Sequence, residues 1–566
     1  MVIFQTSLFR SFFWIIAGLF LFTEMEILAS DSTVPIVREI TIEKPYLRFP
    51  IRLNGELRRI QFTIDGKIVR VEDVRLADAH PDFWAALDVG TFQGKTVTLS
   101  APLPAGSSGL STVFASDTLT DAKDLYHETY RPQFHFTARA GWINDPNGMV
   151  YDQGEYHLSY QHSPLDLLGG GINMHWGMAV SPDMVHWTEG PDIFFPNPQG
   201  SIWSGSAVVD QNNTSGMQQG TEKVLAAFYT LEGPFTQILH FSRDQGRTWF
   251  PPDGIPVVPD IISSNRDPKV IWYEPAREWV MVLYLTGTNF ALLTSPDLKT
   301  WKQEQTISIT SSDPKFAECP DFFPLTVEGE QTEKWIFTSA SAAYLIGAFD
   351  GHAFTPESMK SQRLVWGSEF YAAQTFSDVP DGRRIDIGWM SGGNYPGMPF
   401  NQQLSFPTTL TLHRFPEGLS ILRWPIAEIE SLRGDDHPLS EATIQPGENP
   451  LSALPGDLYD ISAEFEVPAS GEFGFTFKGL PVTYSVANHT LTVKGAQAVL
   501  QPENGHIRLR LLVDRTSVEV FGNGGRVSFA SCIDPAGKGP AFELFTRESP
   551  LHLVSLHAYQ LHSIWP

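Results

Sequence analysis

Cysteine is nearly absent from this chain of 566 residues, which carries only Cys319 and Cys532. Two cysteines so far apart give no zinc or iron–sulfur spacing and no disulfide framework. Charge is also sparse: Asp, Glu, Lys and Arg make up 18%, and Lys plus Arg number 39 against 64 Asp plus Glu. The resulting net charge of −25 excludes a nucleic-acid partner, because a phosphate backbone needs a basic face. No His/Asp cluster has metal-ligand spacing, so neither a metal nor a cofactor is expected.

Long apolar runs are missing too, with one exception. Phe12 to Phe22 is uninterrupted, follows Arg10, and is succeeded by Ala29 and Ser30. Eleven residues are short for a bilayer span but suit the core of an export signal. Residues 1–30 are therefore expected to be a signal peptide of a secreted or periplasmic protein, with an uncleaved anchor as the alternative. No membrane partner beyond export is implied.

What is abundant is hydrophobic and turn-forming. Apolar residues make up 42%, with 39 Phe, 15 Trp, 46 Gly and 42 Pro. This is the composition of a large β-rich protein with many short connections. Residues 31–115 are expected to form a small β-sandwich module. Arg38 to Ile42, Arg59 to Ile64 and Thr96 to Leu99 alternate as half-buried strands do, and Asn54-Gly55 and Asp65-Gly66 are hairpin-turn dipeptides. Pro102 to Gly109, rich in Gly, Pro and Ser, reads as the linker that follows.

The middle of the chain repeats. Ser181-Pro-Asp183 precedes Trp187, Ser242-Arg-Asp244 precedes Trp249, Ser295-Pro-Asp297 precedes Trp301, and Asp350-Gly351 precedes Phe354. The four aspartates are separated by 61, 53 and 53 residues, each a turn feeding an aromatic-bearing strand. A second series, Asp145, Ser206, Asp267, Glu318 and Tyr371, runs in phase with the first at spacings of 61, 61, 51 and 53. Repeats of this size built from short strands indicate a β-propeller, here with five blades over residues 116–432. Equivalent strands of a propeller meet at its axis, so three carboxylates distant in sequence would converge. Strand alternation resumes in 433–566, where a C-terminal β-sandwich is expected. The fold class is thus all-β: small sandwich, five-bladed propeller, sandwich.

Taken singly, the three acids are weak signals. Asp-Pro-Asn-Gly is an ordinary turn, Arg266-Asp267 an ordinary ion pair, and Glu318 could be merely solvated. Brought to one axis they would repel one another unless a reaction used them. Glycosidic cleavage needs such a set: one carboxylate attacks or activates water, and another protonates the leaving oxygen.

The segments WINDPNG (142–148), RDPKV (266–270) and ECPD (318–321) resemble the three signature blocks of glycoside hydrolase family 32, which contains invertases, inulinases and levanases. YHLSYQH (156–162), MHWG (174–177), WSGS (203–206), FYAAQ (370–374), GRRIDIGWMS (382–391) and DRTSVEVF (514–521) extend the resemblance over about 125–566. It implies a five-bladed propeller followed by a β-sandwich, and a retaining mechanism on fructofuranosyl units. Asp145 would be the nucleophile, Glu318 the general acid/base, and Asp267 the stabiliser of the transition state. Arg266 would pair with the acids, and Asn144, Gln161, Trp203, Ser204 and Tyr371 would line the fructose pocket. Cys319, beside Glu318, is expected to be structural.

The implied partner is a fructan or fructo-oligosaccharide substrate. The N-terminal module and Asn401-Gln-Gln-Leu-Ser-Phe-Pro407 are similar to features of some bacterial levanases, which favours levan, with inulin possible and sucrose secondary. A sucrose-specific invertase, a fructosyltransferase and a noncatalytic fructan-binding protein are the alternatives. One departure stands out: many relatives have Trp where this chain has Gly171. Either the pocket mouth is wider, or Leu167, Leu168 or a neighbouring aromatic fills the space.

Overall fold

The computed structural model describes residues 33–120, 123–310, 316–535, 537 and 539–566. The expected signal segment, 1–30, lies outside the described residues.

Five sheets follow one another between residues 141 and 425, each running from an innermost to an outermost strand. Their innermost strands are Gly141–Asp152, Ile202–Asp210, Arg266–Tyr273, Asp321–Thr326 and Tyr371–Thr375. The first four innermost strands pack side by side in succession, the fifth returns against the first, and its Thr375 amide donates to Asp321 of the fourth. These are the five blades of a propeller. Its ring is tied shut by backbone: Tyr151 and Ser377 donate to Ser377 and Met149 carbonyls, and Phe400–Asn401 pairs in parallel with Gly141 and Trp142.

The Asp turns occupy equivalent outer corners of blades 1 to 4. Asp183 accepts from Ser181 Oγ and the Val185 and His186 amides, and Asp297 accepts from Ser295 Oγ and the Lys299 and Thr300 amides. Asp244 and Asp350 do the same with Ser242 and Thr248 and with the His352 and Ala353 amides. Each carboxylate satisfies the amides of a tight corner, which drives the next aromatic inward. Trp187, Trp249, Trp301 and Phe354 accordingly pack into or against buried inter-strand clusters.

The N-terminal module is two small sheets, ordered Thr33–Thr41, Thr96–Pro104, Arg58–Ile64, Lys67–Val74 and Phe83–Asp88, Tyr46–Ile51, Phe114–Ser116. The expected linker at 102–109 is overturned. Pro102 pairs with Pro35 inside a strand, and Gly109–Thr112 is a helical turn that buries Leu110. Asp78 fixes that corner by accepting from the Ser108 and Gly109 amides. The Gly, Pro and Ser there build a turn within the module, and the chain leaves it only after Ser116.

Charge is buried where the module meets the propeller. Arg70 pairs with Glu72, stands 4.6 Å over the Phe195 ring, and lies 3.3 Å from His175 Nδ1. Glu72 reaches His175 Nε2 at 3.3 Å; Asp192 then bridges His175 and His162, each at 2.7 Å. Burial disfavours ionisation of Asp192 and Glu72, but the neighbouring cations win and hold both carboxyls below their ordinary range.

The C-terminal sandwich stacks a seven-stranded sheet on a five-stranded one around a continuous apolar core. It is joined to the propeller by polar groups as well. His135 donates from its two ring nitrogens to Asp514 Oδ2 (2.9 Å) and Glu519 Oε1 (3.0 Å), all three with side chains 0% exposed. Asp514 also accepts from the Gln133, Phe134 and His135 amides, and Glu519 from the Phe406 amide and Arg423.

Candidate active site

The innermost strands are not regular where the candidate residues fall. Register slips between Ile143 and Pro146, between Ile202 and Gly205, between Arg266 and Lys269, and between Tyr371 and Gln374. The unpaired residues are therefore Asn144-Asp145, Trp203-Ser204, Asp267-Pro268 and Ala372-Ala373. A bulge re-aims a side chain that would otherwise alternate out of reach, and proline, lacking an amide hydrogen, is tolerated there. Asp267 (φ 62°), Glu318 (φ 54°), Cys319 (φ 35°) and Ala372 (φ 53°) are left-handed without being glycine. Such strain persists only where surrounding structure over-determines it, and it clusters at functional sites.

The bulges empty into one pocket of about 150 Å³ on the propeller axis. It is lined by Asp145, Asp267 and Glu318 and by Asn144, Gln161, Trp203, Ser204, Arg266 and Tyr371. Every residue expected at the site is thus brought together. Gly171, Met174 and Cys319 complete the lining.

Each acid is held differently. Asp145 accepts from Ser204 Oγ at 2.8 Å through Oδ2 and from Asn144 Nδ2 at 3.0 Å through Oδ1. Asn144 is itself aligned by Trp142 Nε1 at 3.1 Å. Asp267 accepts the Cys319 amide at 3.0 Å and donates its own amide to Thr230 Oγ1. Glu318 accepts from Arg266 Nη2 on one oxygen and from the Tyr371 hydroxyl on the other. Arg266 is anchored by the Ser264 carbonyl at 2.7 Å and lies 4.5 Å over the Tyr284 ring.

Burial governs the protons. It pushes the Asp267 carboxyl up to about 7, against the opposing pull of Arg266, and it raises Asp145 as well. The Cys319 thiol is driven far above its ordinary range by burial among the acids, so it stays protonated. Its sulfur is 3.6 Å from Asp267 Oδ2 and 3.7 Å from Asp145 Oδ2, the position of a weak donor shared by two carboxylates. Carboxyls this close titrate as a coupled set, and burial favours keeping a proton on Asp267 near neutral pH.

Other motif residues build the frame. Ser206, the one aliphatic hydroxyl of the repeat, donates to the Pro268 carbonyl and accepts from the Val270 amide, locking blade 2 to blade 3. Lys269 and Asp321, 3.4 Å apart and both buried, meet over the Thr375 backbone and tie blades 3, 4 and 5 together. Sequence reasoning missed Thr230, for which no motif or repeat position gave a signal, and it did not single out the Trp142–Trp389 ring pair (6.1 Å), although both residues lie within quoted motifs.

At Gly171 the outcome is open space. A Cβ there would meet nothing within 4 Å, while Leu167 and Leu168 line a different cavity and Leu168 is 49% exposed. Trp142 packs under Gly169 and does not line the pocket; the rings that do are those of Trp203 and Tyr371.

The glycosyl hydrolases family 32 N-terminal domain matches residues 135–425, and the family's C-terminal domain matches 428–560. The chain belongs to glycoside hydrolase family 32. It is 39% identical over 504 residues to the levanase of Bacillus subtilis (strain 168), covering 81% of this chain and 74% of that one. It is 28% identical over 523 residues to the extracellular exo-inulinase of Aspergillus ficuum, covering 78% and 96%. Among solved structures, exo-inulinase from Aspergillus awamori superposes with a TM-score of 0.71 over 78% of this chain and 100% of that one, at 24% identity. That last likeness is one of fold, and it agrees with the propeller and C-terminal sandwich seen here.

Proposed function

We propose that this glycoside hydrolase, which acts on fructosyl linkages, is an exo-acting retaining β-fructofuranosidase that releases fructose from fructans. The observation that carries the reading is the single small pocket into which three differently held carboxylates project. A pocket of only about 150 Å³ suits a single, terminal sugar unit.

Asp145 attacks the anomeric C2. Its oxygens are steadied by Ser204 and Asn144, so a lone pair remains directed into the pocket. The C2–O bond breaks, its electron pair goes to the departing oxygen, and Glu318 delivers the proton. Arg266 and Tyr371 fix the Glu318 carboxyl through separate oxygens, which orients it for that transfer. Glu318 then removes a proton from water, which displaces Asp145 from C2 and gives fructose with its configuration retained. Asp267 holds sugar hydroxyls and faces the positive charge that develops at C2. Asn144, Gln161, Trp203 and Ser204 shape the remainder of the pocket.

Levan is favoured as the polymer because the levanase relative is 39% identical and the exo-inulinase relative 28%. The word extracellular in the name of the latter supports an exported enzyme, and no helix among the described residues is long and apolar enough to cross a membrane. Chromatography of products from levan, inulin and sucrose tests the reading. Free fructose as the first and only small product of levan is expected. A ladder of oligosaccharides, or fructosyl transfer to sucrose in place of hydrolysis, would overturn it.

A further inference from the structure

A second cavity, of about 620 Å³, lies between the N-terminal module and the propeller. That is within the usual size range of ligand pockets, about 300–1,000 Å³. Its module wall is the outer face of the three-stranded sheet. Register sets Trp84 opposite Pro50, Ala86 opposite Arg48, and Phe114 opposite Arg48. Alternation therefore puts Trp84, Arg48, Ala86 and Phe114 on one face, turned away from the module core. The Trp84 ring leans on Phe114 with centroids 5.2 Å apart, and Phe114 is 45% exposed. Across the cavity stand Asn394 and Asn401 of the propeller, with Leu168 between the two walls. Arg48 lies buried beneath this face and donates to the Trp84 carbonyl, and the Asn401 amide is held by the Leu167 carbonyl, so the exposed Asn394 is the free amide of the opposite wall. An aromatic face with an amide across from it is chemistry that binds a neutral sugar: the ring takes C–H faces, and the amide takes hydroxyls.

This cavity and the catalytic pocket are lined by neighbouring stretches of one loop. Leu168 lines the first and Gly171 the second. Three residues span at most about 11 Å. The intervening ridge is Gly169-Gly170-Gly171, all at positive φ, and at Gly170 and Gly171 no atom lies within 4 Å of where a Cβ would stand. No side chain stands on that ridge, and only Gly169 is packed closely, against Trp142.

We propose that the cleft between module and propeller is an accessory subsite for the fructan chain, holding units beyond the scissile bond while the terminal unit occupies the catalytic pocket. The proposal rests on the fructan reading above. It makes the module part of the substrate-binding surface, with Trp84 as its central contact.

Steady-state kinetics of the full chain on high-mass levan and on sucrose decide it, with Trp84→Ala and the exposed Leu168→Ala as variants. Loss of one such aromatic contact corresponds to about 3- to 10-fold. The expected result is a fall of that size in kcat/KM for levan, carried by KM, with sucrose kinetics unchanged. A levan-to-sucrose ratio equal to wild type in both variants would overturn the proposal, as would a parallel loss on both substrates. Leu168→Ala keeps the test open if Trp84→Ala fails to fold. A wild-type chain inert on both substrates would instead refute the fructan reading itself.

Discussion

Replacing His135 by Leu removes the one side chain that joins two buried carboxylates of the C-terminal sandwich to the start of the propeller. Burial alone would lower the His135 pKa, but Asp514 and Glu519 raise it to about 9, from 6.5. A group raised in the folded state contributes stability that is complete below its unfolded pKa and is lost as pH climbs through the folded value. Removing one partner of a buried charged cluster costs about 3–5 kcal/mol. The lower end applies here, because Asp514 keeps three backbone amides and Glu519 keeps the Phe406 amide and Arg423. At roughly 2 °C per kcal/mol for a large cooperative unit, Tm should fall by roughly 6 °C at pH 6. Scanning calorimetry of both proteins at pH 6 and pH 10 measures it. The gap should narrow at pH 10, where the wild-type imidazole is neutral and no longer brings its charge to Asp514 and Glu519. Equal gaps at the two pH values would refute the charge argument, and no gap at pH 6 would refute the role in domain docking.

Asp145→Asn and Glu318→Gln should each abolish hydrolysis while leaving Tm within about 2 °C of wild type, since neither changes volume much; wild-type-like turnover in either would remove that residue from the chemistry. Arg70→Met should lower Tm by leaving the buried Glu72–His175 pair with an unbalanced charge, and should raise KM because Gly171 and Met174 of the pocket lie just before His175 in the chain. A lower Tm with unchanged KM would confine that cluster to a structural role. The open mouth at Gly171 predicts a higher kcat/KM for levan oligomers than for sucrose, and a clear preference for sucrose would contradict it.

The propeller was legible because its repeat is chemical as well as periodic. The Ser-x-Asp corners at 181, 242 and 295 recur since the same turn must be satisfied at the same place in each blade. The in-phase acids could be assigned to one axis for the same reason. Alternation along a single strand, by contrast, would have misdirected Asp145 or Ser204, and the bulges that correct their aim left no mark in the sequence beyond the prolines at 146 and 268. Pro102 to Gly109 misled because a tight turn within a sandwich has the composition of a linker. The contacts of Arg70 with His175 and of His135 with Asp514 join residues 105 and 379 positions apart. Buried ion pairs between domains have no local pattern from which they could be read.

Mechanism and residue assignment meet in the fate of the configuration at C2. Fructose itself interconverts between anomers, so the product to follow is a stable glycoside formed when methanol replaces water in sucrose or levan cleavage. Proton and carbon NMR of that methyl fructofuranoside, taken from the first turnovers, distinguishes the two anomers. Attack by Asp145 and a second displacement assisted by Glu318 predict the β-anomer alone. The α-anomer would mean a single displacement by solvent, and would contradict a covalent role for Asp145.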